Sequence, residues 1–241
     1  MAGTLPPSTE RLLAIPGLAG APALVHAFST ADLGSMRGEG ALAVTPPRAA
    51  FAQALGLRPD RLTVVGAVHG REVKRVDAPS GVVSGCDGLV TDTPQLPLLA
   101  TFADCYPVLL LDPARPALGL VHSGWRGAAA GVVGEAVAGL RREYGSRPSD
   151  LVAGMGPGIC GRCYEVGEEV AAVFPAEHVS ATQQGRFLLD LRSVLRAQLL
   201  EAGVPASQVH DLALCTKETA ALASHRRSPD GARFACLVAL T

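Results

Sequence analysis

Lysine is the scarcest charged residue of this 241-residue chain, which carries 21 basic residues. Only Lys74 and Lys217 among them are lysines, so the arginine content reflects a compositional preference and each arginine has to be judged by its position. The 22 acidic residues bring the net charge to -1. This balance argues against a nucleic-acid partner, because such proteins present a clearly basic surface, and it leaves no acidic tail.

Long apolar segments are lacking as well. Uninterrupted apolar runs, such as residues 107–111, are far shorter than the ~20 residues that a membrane-spanning helix needs. The first residues also lack the charged and then apolar pattern of a secretion signal. We therefore expect a cytoplasmic protein without a membrane partner. In that reducing compartment the cysteines are candidates for metal binding, catalysis or core packing before disulfides; they are Cys86, Cys105, Cys160, Cys163, Cys215 and Cys236.

Hydrophobic residues make up 48% of the chain and charged residues 18%, which is typical of a compact globular protein. We predict a loosely held lead-in at residues 1–22 and one α/β domain at residues 23–241, with a large mixed sheet flanked by helices. Antiparallel strand pairs should outnumber parallel ones. The predicted helices are 48–57, a long one within 125–140, 165–174 and 190–202, and the predicted strands are 23–29, 62–68, 72–76, 88–92, 98–102, 108–111, 117–121, 150–155, 209–215 and 234–240. Strands 62–68 and 72–76 are expected to form a bent strand or a hairpin.

Residues 117–140 combine three features in a short stretch. An apolar strand ends at His122, and Gly124 opens a turn before Arg126 at the start of an alanine-rich helix. Backbone N–H groups at a helix N-terminus attract anions, and an arginine there can hold an anion through two hydrogen bonds. The segment predicts an anion site, with an ordinary strand-to-helix turn as the alternative.

Three residues that bind soft metals lie where predicted strands end or turn: His69, Cys105 and His122. They are too far apart in sequence for a local zinc-finger spacing, so only the fold can bring them together. A buried cysteine and two locally hydrogen-bonded histidines are the alternative.

Six segments, in order, resemble the motif series of the YfiH family, also called the laccase-domain or multicopper polyphenol oxidase family, whose members are described as purine nucleoside phosphorylases. The similarity extends over roughly residues 24–240. The segments are VHG at 68–70, CDGLVTD at 86–92, TFADCYPVLLLDP at 101–113, VHSGWRG at 121–127, GPGICGRCYEVG at 156–167 and SHRRSPDGAR at 224–233.

The resemblance implies a catalytic zinc held by His69, Cys105 and His122, with a fourth coordination position left for water or substrate. It further implies phosphorolysis of adenosine, inosine or S-methyl-5'-thioadenosine, and adenosine deaminase activity in addition. The partners are then a purine nucleoside and phosphate. Arg126 is the candidate phosphate ligand, and Asp87 is a candidate for orienting a histidine or acting as an acid, with a turn beside Gly88 as its structural alternative.

Other residues receive supporting roles. Asp104 is expected to support the site from beside Cys105. Arg226 and Arg227 could bind phosphate or pair with carboxylates, with an exposed salt bridge expected for at least one of them. Cys160 and Cys163 form a CxxC pair, but the other cysteines supply no second pair for a zinc knuckle, and the resemblance indicates packing for Cys163.

Three other functions remain open from the sequence. A copper-dependent polyphenol oxidase is disfavoured because the chain has only six histidines. Cys105 could instead act as a nucleophile with His122 as base, in a cysteine hydrolase or a peptidoglycan editing factor. The last alternative is a noncatalytic protein stabilised by a metal. The sequence does not distinguish a monomer from a homodimer.

Overall fold

The computed structural model describes residues 12–21, 23–38, 42–183 and 185–241. Five helices are present in this part of the chain: α1 (Pro46–Ala54), α2 (Trp125–Ala129), α3 (Val132–Tyr144), α4 (Glu168–Ala171) and α5 (Leu191–Glu201). The strands are β1 (Leu24–Phe28), β2 (Thr63–Gly66), β3 (Val73–Arg75), β4 (Gly81–Ser84), β5 (Gly88–Thr91), β6 (Leu98–Phe102), β7 (Tyr106–Asp112), β8 (Ala117–Ser123), β9 (Val152–Met155), β10 (Glu165–Val166), β11 (Val179–Ala181), β12 (Phe187–Leu189), β13 (Val209–Asp211) and β14 (Phe234–Leu240).

The strands form two large mixed sheets and one small one. The first large sheet has the order β1-β14-β6-β2-β4, and the second has the order β13-β9-β7-β8-β5-β3. A three-stranded sheet, β10-β12-β11, completes the set. The α/β class with mixed sheets is confirmed, and antiparallel pairs do outnumber parallel ones among the described strands. The strands are divided between sheets, however, rather than joined in the single large sheet that we expected.

The two large sheets pack face to face between helices. Leucines of β7 and β8 meet apolar residues of β6 and β14 in one core. Helix α1 covers the outer face of the first sheet, and α3 and α5 cover the outer face of the second. Strands buried on both faces need apolar residues throughout, which is why β7, β8 and β14 are buried along their whole length.

Two predicted helices differ from the structure. The helix expected within 125–140 is divided into α2 and α3 by Gly131, whose φ of 79° is left-handed and ends the first helical segment. Within the helix predicted for 165–174, the first two residues form strand β10 and only the four residues of α4 are helical.

The chain crosses between the large sheets at residues 67–72. Strand β2 pairs with β4 and β6, whereas β3 pairs with β5 in the other sheet. Of the two alternatives expected here, a bent strand or a hairpin, the hairpin is therefore wrong, because the two strands have no ladder in common. The crossing brings His69 to the edge of both sheets.

The described part of the N-terminal segment is held by the core. Leu13 forms a β-bridge with Phe28, and Ile15 and Leu18 are buried. The expectation of a loosely held lead-in is wrong for residues 12–21, since their apolar side chains pack under the sheet; residues 1–11 and 22 lie outside the described residues. In the described ranges, no helix has both the length and the apolar composition required to cross a bilayer.

His26 gives the fold a predicted pH dependence. Its buried ring accepts a hydrogen bond at Nε2 from the N–H of Ile15 at 3.0 Å, and burial lowers the pKa of His26 from 6.5 to about 4. The unfolded chain takes up a proton below pH 6.5 while the folded chain keeps the ring neutral. The contribution of the neutral His26 ring to the free energy of unfolding is therefore complete above pH 6.5 and is lost as the pH falls to about 4. At about 1.4 kcal/mol per pKa unit, the loss is at most about 3.5 kcal/mol.

Denaturant unfolding of the wild type and of His26→Gln at neutral pH and at about pH 4.5 measures this contribution. Glutamine keeps an acceptor for Ile15 but does not titrate in this range. We expect the wild type to lose more stability than the variant on acidification. Equal losses in both proteins would contradict the assignment.

Candidate functional site

The three proposed metal ligands converge at one end of the two sheets. His122 lies near the end of β8, Cys105 lies in the turn between β6 and β7, and His69 lies in the crossing between β2 and β3. Their ligand atoms all lie within 4.8 Å of one another. The two histidine rings meet edge to face, with 5.1 Å between centroids. His69 is exposed, Cys105 half-buried and His122 buried, so the cluster opens to solvent on one side.

Asp87 fixes the turn that carries His69. One carboxylate oxygen accepts the backbone N–H of His69 at 2.8 Å, and the other accepts that of Gly70 at 2.7 Å and of Val68 at 3.3 Å. His69 has a φ of 61°, a left-handed conformation that is unusual for a histidine. The buried carboxylate thus stabilises a backbone conformation that this residue rarely adopts.

The same carboxylate orients His122. Oδ1 of Asp87 lies 3.2 Å from Nδ1 of His122, which leaves Nε2 for the cluster. The ring also stacks on Phe102 with 5.2 Å between centroids. Burial alone would raise the pKa of Asp87, but the hydrogen bonds from His122 and from the backbone of Gly70 and His69 hold it below its usual value. Asp87 therefore stays ionised and positions both histidines.

Cys105 and His122 form a charge pair. Burial alone would raise the pKa of the Cys105 thiol, but the positive charge of His122 and the hydrogen bonds from both histidines lower it. Burial likewise opposes the charge on His122, whereas Cys105 and Asp87 raise the pKa of its imidazole. The thiolate is thus stabilised, and the thiolate is the form of cysteine that binds metals and acts as a nucleophile.

Gly124 allows the ligands to approach each other. A Cβ at this position would lie 2.8 Å from Sγ of Cys105 and 3.3 Å from Cδ2 of His69. The backbone at Gly124 is extended, with a φ of -89°, which any residue can adopt. Glycine is needed here because a side chain would collide with the ligands.

Asp104 joins the site to a distant loop. Its φ of 88° turns it away from a regular strand. Its carboxylate accepts hydrogen bonds from Oγ1 of Thr216 at 2.6 Å and from the backbone N–H of Arg226 at 2.8 Å. These bonds agree with the supporting role predicted for Asp104.

A cavity of about 430 Å³ opens above the ligands, within the size range of small-molecule sites. Among its walls are cationic and aromatic side chains that the sequence did not single out, namely Tyr164, His225 and Arg233. All three lie in segments that carry the family resemblance, GPGICGRCYEVG and SHRRSPDGAR, and this was the available signal for them. The remaining lining residues are His69, Ala103, Asp104, Cys105, Gly124, Trp125, Arg126, Ile159, Leu191 and Arg226.

Arg126 lines this cavity, and its guanidinium carbon lies 4.4 Å from the centre of the Trp125 ring. Among the described residues, no carboxylate forms an ion pair with Arg126. Helix α2, which follows Gly124, has only five residues. Any attraction for an anion at this turn therefore depends on the arginine more than on a helix dipole.

Arg226 and Arg227 have different roles. Arg226 lines the cavity, lies over the Tyr164 ring at 5.1 Å, and donates from Nη1 to the carbonyl of Glu165 at 2.7 Å. Arg227 donates to several backbone carbonyls of residues 216–222 and holds that loop together. The expected carboxylate pairing is wrong for both within the described chain, because backbone carbonyls take their donors.

Two imidazoles and one thiolate are a suitable set for a tetrahedral metal with one open position. The same set binds copper in blue-copper sites, where a methionine supplies a long axial contact. Among the described residues that line the cavity, none is a methionine. The donor set therefore suits a metal such as Zn²⁺, and its ligand atoms already lie within 4.8 Å of one another.

Comparison with known proteins identifies the family. Residues 23–241 match the family model described as multi-copper polyphenol oxidoreductase laccase. The chain belongs to this family. A relative from Streptomyces coelicolor named purine nucleoside phosphorylase is 41% identical over 217 residues, which are 86% of this chain and 87% of the relative. A Mycobacterium tuberculosis relative with the same name is 38% identical over 216 residues, which cover 88% and 85% of the two chains.

Solved structures of the laccase-domain family share the fold. The crystal structure of YlmD from Geobacillus stearothermophilus has a TM-score of 0.83 and 29% identity, and covers 93% of each chain. That of Bacillus licheniformis YfiH has a TM-score of 0.82 and 28% identity, covering 90% of this chain and 93% of its own. The resemblance to the YfiH family predicted from the motifs is confirmed.

Proposed function

We propose that the chain is a zinc-dependent purine nucleoside phosphorylase that converts adenosine, inosine or S-methyl-5'-thioadenosine and phosphate to the free base and a ribose 1-phosphate. The observation that carries the proposal is the convergence of His69, Cys105 and His122 at the base of a cavity with cationic and aromatic walls. The names of the relatives support the same reaction. A cytoplasmic location belongs to the proposal and agrees with six free cysteines.

Zinc held by His69, Cys105 and His122 would supply a Lewis acid at the base of the cavity. The protein keeps this position in place through Asp87, which binds the turn of His69 and the ring of His122. Asp87 is fully buried and accepts several N–H donors, so its role is positioning rather than proton donation.

The cavity walls divide into two kinds of surface. Arg126 and Arg226 provide guanidinium groups that can bind a phosphate through paired hydrogen bonds. Tyr164 and Trp125 provide aromatic surface, and Ile159 adds apolar surface. This combination suits a substrate pair of one anion and one purine nucleoside, and the cavity size allows them to lie in contact.

Phosphorolysis requires the two substrates to react in line. A phosphate oxygen forms a bond with C1' of the ribose while the bond from C1' to N9 breaks, and its electron pair passes to the purine. The purine takes up a proton, so the products are the neutral base and the sugar 1-phosphate. Arg126 holds the attacking anion in this scheme, and His225 is a lining residue able to exchange a proton.

The test measures base release from each nucleoside by the purified, zinc-loaded protein with and without phosphate. We expect release that requires phosphate, with ribose 1-phosphate formed in equal amount from adenosine or inosine. Cys105→Ala should be inactive and Cys236→Ala active, because Cys236 is a buried thiol of β14 outside the cavity. Absence of base release from all three nucleosides would contradict the proposal.

The same samples separate the alternatives. Adenosine deamination, which the resemblance implies, would appear as inosine formed without phosphate. We expect zinc to protect Cys105 from iodoacetamide, since a ligand thiolate is not free to react. Alkylation unaffected by zinc, together with turnover in a chelator, would favour a cysteine hydrolase. Bound copper with phenol oxidation would favour the oxidase.

A further inference from the structure

A second cluster of possible metal ligands lies apart from His69, Cys105 and His122. Cys160, Cys163, Cys215 and Glu218 place one ligand atom each within 4.8 Å of one another. Two segments supply them, each as a pair separated by two residues: CGRC after β9 and CTKE after β13. The sequence contains no second cysteine pair because the fourth donor is a carboxylate.

Backbone hydrogen bonds hold the two segments in register. Gly158 donates to the carbonyl of Leu214 at 3.2 Å and accepts from the N–H of Thr216 at 3.1 Å. The Cys160 N–H donates to Sγ of Cys215 at 3.4 Å, and the Cys163 thiol donates to Oε1 of Glu218 at 3.5 Å. The ligands are therefore arranged before any metal binds.

Backbone N–H groups surround the sulfur of Cys215. Those of Cys160, Lys217 and Glu218 face it, and the Cys160 nitrogen lies 3.4 Å away. Several N–H groups directed at one sulfur stabilise the charge that a metal-bound cysteine carries. Arg162 donates to both oxygens of Glu218 at 3.0 Å and can keep one of them while the other binds a metal.

Three sulfurs and one carboxylate oxygen match the ligand preferences of Zn²⁺. With a Zn–S distance of about 2.3 Å, a tetrahedral site places its sulfurs about 3.8 Å apart. The atoms of the cluster need only a small inward movement to reach that spacing, given their separation of at most 4.8 Å. A hard cation would instead require mostly oxygen ligands.

We propose that Cys160, Cys163, Cys215 and Glu218 form a second zinc site with a structural role. The site ties together two segments that build the cavity. Tyr164, next to Cys163, lines the cavity, and Thr216, next to Cys215, binds the carboxylate of Asp104 beside the catalytic cysteine. The proposal concerns metal binding and does not depend on which reaction the first site performs.

Zinc content of the full chain, purified in a reducing buffer with zinc and then desalted, provides the first test. We expect two zinc ions per wild-type chain and one per Cys105→Ala chain, which lacks a ligand of the first site. The remaining ion in Cys105→Ala should be lost when Cys215→Ser is added. Cobalt bound to Cys105→Ala should show intense sulfur-to-cobalt absorption from three thiolates.

A surface variant keeps the test informative if Cys215→Ser does not fold. In the Cys105→Ala background, Glu218→Gln removes the carboxylate ligand and its ion pair with Arg162, and we expect zinc affinity to fall at least about tenfold. Glu165→Gln is the matched control, because it removes a similar exposed ion pair, with Arg186, and no ligand. The control should bind zinc as tightly as its parent.

Two results would overturn the proposal. One is a wild-type chain with a single zinc and a Cys105→Ala chain with none. The other is a disulfide between Cys160 and Cys163 in protein purified with zinc and without a reductant, because ligands of a bound ion are not available for oxidation. Equal zinc affinity of the Glu218→Gln and Glu165→Gln proteins would remove Glu218 from the ligand set.

Discussion

Alanine at position 124 is expected to weaken metal binding by His69, Cys105 and His122 without removing any of these ligands. The added Cβ would lie 2.8 Å from the Cys105 sulfur, closer than real Cβ atoms approach, and 3.3 Å from the His69 ring. Either ligand must move, and a displacement of about 1 Å at a reacting centre costs roughly 100-fold in rate. We expect zinc affinity at this site to fall at least about tenfold and phosphorolysis to fall about 100-fold or more.

The fold should tolerate this substitution. The extended backbone at Gly124 is open to any residue, and the only strain comes from the ligands themselves. The matched control is Gly134→Ala in α3, where an added Cβ meets no atom within 4 Å. The control should gain up to about 1 kcal/mol from helix propensity. The prediction is checked on both variants by measuring zinc binding with isothermal titration and base release with chromatography. Wild-type zinc affinity in Gly124→Ala would contradict it.

The sequence predicts best the elements that are buried on both faces. Strands β6 and β14 occur at 98–102 and 234–240 as predicted, because a short run made almost wholly of apolar residues leaves the chain few alternatives. The same runs carry no information on which strand each one pairs with. Of the bent strand and the hairpin expected at 62–76, the hairpin failed for this reason, since β2 and β3 each pair within a different sheet.

The site illustrates the same limit. The types of residue at 69, 105 and 122 indicate metal chemistry, and the resemblance grouped them. Their ligand atoms lie within 4.8 Å of one another because the chain crosses between two sheets and because His69 adopts a left-handed backbone conformation. No local sequence pattern predicts either feature. The second cluster was missed because its fourth donor, Glu218, is an exposed side chain in an ordinary polar loop and becomes notable only beside three sulfurs.

Asp87→Asn is expected to weaken metal binding and the fold together. The carboxylate of Asp87 accepts from four donors: the backbone N–H groups of Val68, His69 and Gly70, and the ring of His122. An asparagine has one oxygen, and its NH₂ group must face N–H donors at the other position. Because the site is buried, we expect a loss of about 2–3 kcal/mol in unfolding free energy and a 10–100-fold loss in zinc affinity.

Asp112→Asn makes the same chemical change where it should cost little. Asp112 is fully buried, and its Oδ1 accepts the backbone N–H groups of Ala114 and Arg115. Its Oδ2 accepts no hydrogen bond from the described residues and forms only a long ion pair, at 3.8 Å, with Nη1 of Arg115, so an NH₂ group there opposes no hydrogen-bonded donor. Denaturant unfolding and zinc titration of both variants separate the two environments. If Asp87→Asn lost no more stability and zinc affinity than Asp112→Asn, the carboxylate would not be what holds the His69 turn and the His122 ring in position.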